Sequence, residues 1–144
     1  MASKKKTEEI SRGDYVESLN LKKLGFKRAL KSFKFSFEGL VYAYTHEQSL
    51  LLHLIVMFIV IGCAIVFQIS TMQWVMIIVV GALIISAELF NTSIEAVVDM
   101  ITAEYHPKAK AAKDTASAAC FITDLIALSM WIYVFLPKIM ALFR

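Results

Sequence analysis

The stretch LLLHLIVMFIVIGCAIVF, Leu50 to Phe67, is followed by QISTMQ, Gln68 to Gln73, and then WVMIIVVGALIISA, Trp74 to Ala87. From Gln48 to Ala87 there is no Asp, Glu, Lys or Arg, and His53 is the one imidazole. A hydrocarbon core about 30 Å thick takes roughly 20 apolar residues of helix to cross. The interval therefore holds two spans joined by a short uncharged turn, with Trp74 as an interfacial anchor. The first span is expected over about 48–67 and the second over about 74–100. A third apolar run, about 116–136, carries Trp131 and Tyr133 near its far end, and Pro137 is expected to close it.

The rest of the composition agrees. The chain is 58% hydrophobic over 144 residues, too apolar for an ordinary soluble domain, and has room for one domain at most. Cys63 and Cys120 lie in apolar runs with no CxxC spacing and read as small core residues. The first 40 or so residues have no uninterrupted apolar stretch of the kind a cleavable signal carries, so none is expected.

Residues 1–25 are polar, mixed in charge and expected to form a flexible arm. From Phe26 the pattern changes. Phe26, Leu30, Phe33, Phe37, Leu40 and Tyr44 recur at helical spacing, opposed by Lys27, Lys31, Lys34 and Glu38. An aromatic stripe facing lysines predicts an amphipathic helix over 26–45, lying in the membrane interface. His106-Pro107 should end or bend the second spanning helix, leaving PKAKAAKD, 107–114, as a basic loop.

Ten of the fifteen Lys and Arg residues precede Tyr42, and Lys108, Lys110 and Lys113 sit in the later loop, whereas 68–73 has none. By the positive-inside rule the amino terminus and the 107–114 loop face the cytoplasm. A basic tail beside membrane spans reads as an anchor to anionic lipid. No nucleic-acid recognition motif accompanies it, so no nucleic-acid partner is expected.

The second span ends in AELFNTSIEAVVDM, Ala87 to Met100. At about 100° per residue, Glu88, Asn91, Glu95 and Asp99 fall on one narrow helical face. Clustered carboxylates at the edge of a bilayer are costly without a cation, and a hard divalent ion such as Mg²⁺ suits oxygen donors. Glu104, His106, Lys113 and Asp114 follow on the cytoplasmic side, where nucleotides are plentiful. Acids for a metal, a lysine for phosphate and a general base make a phosphoryl-transfer set. The residues by themselves leave a catalytic site and an ion or proton pathway both open, and acids at a helix exit are also often simply solvated.

The segments ELFNTSIEAVVD and EYHPKAKAAKDTASAA closely resemble the prokaryotic membrane lipid kinases, the diacylglycerol kinase and undecaprenol kinase family. The shared signature reads Glu-x-x-Asn-[Ser/Thr]-x-Ile-Glu-x-x-Val-Asp, then Tyr-His, then Ala-Lys-Asp. Arg28, Ser36 and Gly39-Leu40 keep the family's spacing to Glu47, so the resemblance covers roughly 26–137. It implies an all-α membrane protein with three spanning helices and an amphipathic surface helix, assembled as a homotrimer, in the plasma membrane of a bacterium. It also implies an ATP- and Mg²⁺-dependent kinase that uses no P-loop, and indeed no GxxxxGK[ST] is present.

By matching position, Glu88 would be the base that takes the proton from the lipid hydroxyl, and Glu47 and Glu95 the metal-binding acids. Arg28, Phe35, Glu104, Tyr105, His106, Lys113 and Asp114, with Glu47 and Glu95, would bind ATP. Asn91, Asp99 and Ser117 would orient the site. Arg28, Ser36, Glu88 and Ser117 would meet the lipid. The chain departs from the family pattern at three places: Leu51 stands where Arg or Lys is usual, Phe35 replaces a frequent Tyr, and His46 replaces a polar residue. His53 and the YHPxAKxAKD spelling resemble the Gram-positive branch, which implies undecaprenol as the lipid alcohol. Diacylglycerol is the alternative substrate, a small oligomeric ion or proton channel the alternative of another class, and an inactive scaffold the third reading.

Asp124, well inside the third span in CFITDLIALSMW, belongs to no part of that signature. It is expected to face the interior of an oligomer and to pair with Thr123 or with a polar group on the first span.

Overall fold

A computed structural model describes residues 26–143, so the arm expected over 1–25 lies outside the described residues. Among the described residues all regular structure is helical: α1 (Phe26–His46), α2 (Gln48–Val66), α3 (Thr71–Ile101) and α4 (Pro107–Leu142). By internal contacts the chain divides into two units between Gly39 and Leu40. In the first unit, the Ser32 and Ser36 hydroxyls donate back to the carbonyls of Arg28 (3.0 Å) and Ser32 (2.9 Å). Lys34 pairs with Glu38 at 3.6 Å across one turn, and Phe33 and Phe37 are exposed.

In the second unit, α2, α3 and α4 are each long and apolar enough to cross a membrane. Their ends are set by local chemistry. Gln68 adopts a left-handed conformation (φ 46°), the Gln68 amide bonds to the Ile65 carbonyl (3.1 Å), and the Ile69 amide reaches the Ala64 carbonyl (3.2 Å). This is the Schellman closure of α2, made here without the glycine that usually provides it. Two residues later α3 begins, three positions earlier than hydropathy predicts. The reason is a capping box: the Ser70 hydroxyl accepts from the Gln73 amide (3.4 Å), and the Gln73 side chain accepts from the Ser70 amide (2.9 Å). The connection expected over 68–73 thus shrinks to 67–70. Replacing this exposed cap, Ser70→Ala, should cost about 1 kcal/mol of stability. Denaturant titration in mixed micelles would read that loss.

The segment expected to be a basic loop is helical. Pro107 occupies the first position of α4, where a missing amide costs nothing, and His106 caps it by accepting from the Lys108 amide at 3.2 Å. Only residues 102–106 remain irregular, folded by the Thr102 hydroxyl, which bonds both the amide and the carbonyl of Glu104 at 3.1 Å. Pro137 does not close α4 either, since the helix continues to Leu142. Proline inside a membrane helix frees one carbonyl, which neighbouring groups or local adjustment re-satisfy, and Val134 just before it is fully buried.

The helix pair α3–α4 is the most extensive contact, and α2 packs on α3. Val60 and Ala64 of α2 meet Ile69, Ile77 of α3 and Val134 of α4, with Trp74, Trp131 and Phe135 around them. A second cluster joins Val80, Ile84 and Ala127. Small residues such as Ala64, Ala116, Cys120 and Ala127 take buried positions, whereas Phe58, Ile65, Val66 and Phe121 point outward. That inside-out arrangement suits lipid, where tight packing rather than water exclusion holds helices together. The hydroxyls of Ser86, Ser93, Thr123 and Ser129 bond back to carbonyls of their own helices, so the hydrocarbon region holds few unsatisfied groups.

Candidate active site

Among the described residues Glu88 is the most buried of the acids, 5% exposed on α3's inner face. The Ser49 hydroxyl of α2 donates to its Oε2 at 2.8 Å, and the Cys120 thiol of α4 lies within its electrostatic reach. One turn along α2, His53 Nδ1 lies 3.6 Å from Glu88 Oε1, and His53 Nε2 lies 3.1 Å from Asp124 Oδ1. Buried Thr92 donates to the Glu88 carbonyl at 2.9 Å. A carboxylate at this depth is tolerable because Ser49 and His53 of α2 stand at its two oxygens.

Toward the end of α3 the Asn91 amide donates to Glu95 Oε1 at 3.0 Å, and Asn91 Oδ1 is buried with no hydrogen-bond partner. Asp99 pairs with Lys113 of α4 at 2.6 Å. The Lys113 ammonium also feels the carboxylates of Glu95 and Glu47, Glu47 standing at the amino-terminal cap of α2. Acids from two helices thus act on one cation. Asp99, Glu104, Tyr105, His106, Lys113 and Asp114 then line a recess of about 320 Å³, in which Asp114 pairs with Lys110.

Among the described residues no group of three or more His, Cys, Asp or Glu converges to hold a metal unaided. Magnesium in phosphate sites, however, takes one or two carboxylates and completes its shell with phosphate and water oxygens. Glu47 and Glu95, oxygen donors that both act on the Lys113 charge, fit that pattern, and Asn91, bonded to Glu95, carries an unpartnered Oδ1 acceptor.

The chain matches the family model described as prokaryotic diacylglycerol kinase over residues 34–135. It is 34% identical over 112 residues to an undecaprenol kinase of Bacillus subtilis, covering 78% of this chain and 91% of that one. It is 35% identical over 119 residues to a diacylglycerol kinase of Helicobacter pylori, covering 83% and 90%. It is 32% identical over 107 residues to a diacylglycerol kinase of Escherichia coli, covering 74% and 88%. The chain belongs to the prokaryotic diacylglycerol kinase family. It is a lipid kinase, and a kinase family implies ATP as the phosphoryl donor.

Within this member of the prokaryotic diacylglycerol kinase family, the sequence-derived site residues fall into groups. Glu88 stands with Ser49 and His53, Asn91 with Glu95, and Asp99 with Lys113, while Glu104, Tyr105, His106 and Asp114 share the recess. Ser117 is exposed, and among the described residues no hydrogen bond joins it to the others. Arg28, Phe35 and Ser36 stand beyond the Gly39–Leu40 division, and their roles rest on the resemblance. The neighbours Ser49 and Cys120 escaped the sequence reading. One signal was available for Ser49: with His53 it forms the polar i, i+4 pair in an otherwise apolar segment of α2. Asp124 finds its partner on the first span, while the Thr123 hydroxyl turns to the Cys120 carbonyl.

Proposed function

We propose that the chain transfers the γ-phosphoryl group of ATP to a membrane lipid alcohol, undecaprenol, at the cytoplasmic leaflet. The observation that carries this reading is the buried Glu88 carboxylate, oriented by Ser49 and lying deeper than the recess around Lys113. A lipid hydroxyl approaches from the bilayer and a triphosphate from water, so the acceptor's base belongs below the phosphate site. As the lipid oxygen attacks the γ-phosphorus, the bond to the β,γ-bridging oxygen breaks and ADP leaves. Glu88 takes the hydroxyl proton, Ser49 holds its other oxygen, and Lys113 offsets phosphate charge while Asp99 fixes its position. Glu104, Tyr105 and His106 border the nucleotide. A Mg²⁺ ion held by Glu47 and Glu95 would neutralise phosphate charge and align the γ-phosphoryl group. Positioning and charge neutralisation do most of the work in such reactions.

The loop 102–106 and the start of α4 lie inside the cell on this reading, because Lys108, Lys110 and Lys113 stand there. Neighbouring copies complete the enclosure. Asp124 is 42% exposed in a single chain, too open for a carboxylate in hydrocarbon, which supports the homotrimer implied by the resemblance.

The choice of undecaprenol rests on His53 and the loop spelling, and on similarity to the Bacillus enzyme so named. Diacylglycerol is the acceptor named for the other relatives. Purified chain given both lipids in parallel mixed micelles, with labelled ATP, is expected to phosphorylate undecaprenol at least about tenfold faster by kcat/KM, a margin of about 1.4 kcal/mol. Faster transfer to diacylglycerol would reverse the assignment, and ion flux without transfer to either lipid would replace the kinase mechanism by a channel.

A further inference from the structure

His53 and Asp124 form a polar pair within the spanning helices that phosphoryl transfer, as described above, leaves unused. His53 sits between two acids from two other helices: Glu88 of α3 faces Nδ1 at 3.6 Å, and Asp124 of α4 meets Nε2 at 3.1 Å. Among the described residues the other titratable group facing this cluster is Cys120 of α4, within electrostatic reach of Glu88 and Asp124, while α2 itself adds only the uncharged Ser49. On the membrane side Leu54, Met57, Ile84 and Trp131 border His53 around a cavity of about 30 Å³, room for about one water. Nothing there competes for a proton.

The two nitrogens differ in a telling way. Nε2 is within hydrogen-bond reach of Asp124, whereas Nδ1 is buried and has no hydrogen-bond partner although a carboxylate oxygen lies 3.6 Å away. A neutral imidazole that donates Nε2–H to Asp124 presents a lone pair at Nδ1. Two acceptors, Nδ1 and an ionised Glu88, do not bond each other and stand apart. Once Glu88 is protonated it becomes a donor toward Nδ1, and the gap can close.

We propose that His53 and Asp124 are positioning residues that reset Glu88 after each transfer. The inference rests on Glu88 being the base. The lipid O–H proton passes to Glu88 Oε1 as the new P–O bond forms. It then moves to His53 Nδ1, giving an imidazolium stabilised by the Asp124 carboxylate, and Glu88 is again ionised. The proton leaves to water when the products depart. Asp124 thus selects the tautomer and stabilises the charged ring, the division of labour an acid has beside a catalytic histidine.

The test compares the full-length chain with Asp124→Asn, His53→Gln, the double variant and Glu88→Gln, all with MgATP and undecaprenol or diacylglycerol micelles. Asp124→Asn should lower kcat about tenfold to a hundredfold with both KM values within about twofold. The acidic limb of its kcat–pH profile should move to lower pH, because the amide no longer stabilises the imidazolium. Asp124→Glu, which keeps the charge, should restore that limb. The double variant should be no slower than the slower single, as for residues acting as one unit. A wild-type pH profile in Asp124→Asn overturns the proposal whatever the rate, and so does a multiplicative loss in the double variant. An inactive Glu88→Gln beside a normal Asp124→Asn removes the relay alone, whereas an active Glu88→Gln removes the base and the relay together.

Discussion

Glu88→Gln is expected to lower kcat on the order of a thousandfold while leaving MgATP affinity unchanged. The amide has the shape of the acid and still offers an oxygen to the Ser49 hydroxyl, so the contacts of α3 with α2 survive. What it loses is the capacity to accept a proton, and general-base catalysis contributes roughly a hundredfold to ten-thousandfold. Binding of a non-hydrolysable ATP analogue, followed by titration calorimetry, separates the two effects. A base variant retains the heat of nucleotide binding but not turnover. Loss of both together would mean that Glu88 supports the fold or the nucleotide site. Turnover near the wild-type rate would place the proton acceptor elsewhere. Because Glu88 is only 5% exposed, no bulk base can take its place.

Hydropathy made the spans legible, since the charge-free interval between Gln48 and Ala87 leaves little choice of solvent for those residues. Helix ends were harder to read, because polarity and helix breaking are different properties. Ser70 and Gln73 are polar yet start α3 by capping each other, and Gln68, with no glycine to announce it, closes α2. PKAKAAKD looks like a loop by charge. Its alanines and lysines are nonetheless good helix formers, and a proline at the first position favours the helix it begins. The site shows a similar divide. Periodicity placed Glu88, Asn91, Glu95 and Asp99 on one face of α3, but a shared face says nothing about partners on other helices. Glu88 turns to Ser49 and His53, Glu95 to Asn91, and Asp99 to Lys113. Asp124 was recognisable as costly from its place in an apolar run. Its pairing with His53, across 71 positions of sequence, is a product of packing.

Glu95→Gln should fail in a different way from Glu88→Gln, and the contrast tests the division of the site into a base and a metal-binding pair. Magnesium at a phosphate site relies on few protein oxygens, so removing one of two carboxylates discards much of the protein's hold on the ion. Even partners one shell further out commonly contribute tenfold to a hundredfold in metal affinity. The Mg²⁺ concentration giving half-maximal turnover is therefore expected to rise about a hundredfold in Glu95→Gln, and similarly in Glu47→Gln. Excess Mg²⁺ should recover part of the rate in each single variant and almost none in the double. Glu88→Gln should show no such recovery at any Mg²⁺ concentration. Lys113 supplies an independent reading, since it feels Glu47, Glu95 and Asp99 together. Either glutamine variant reduces the negative charge around that ammonium, so a Mg²⁺-free ATP analogue should bind them no more weakly than the wild type. If Glu95→Gln leaves the Mg²⁺ dependence unchanged while turnover falls, the carboxylate acts through Asn91 on the neighbouring base, and the ion must be held by other oxygens.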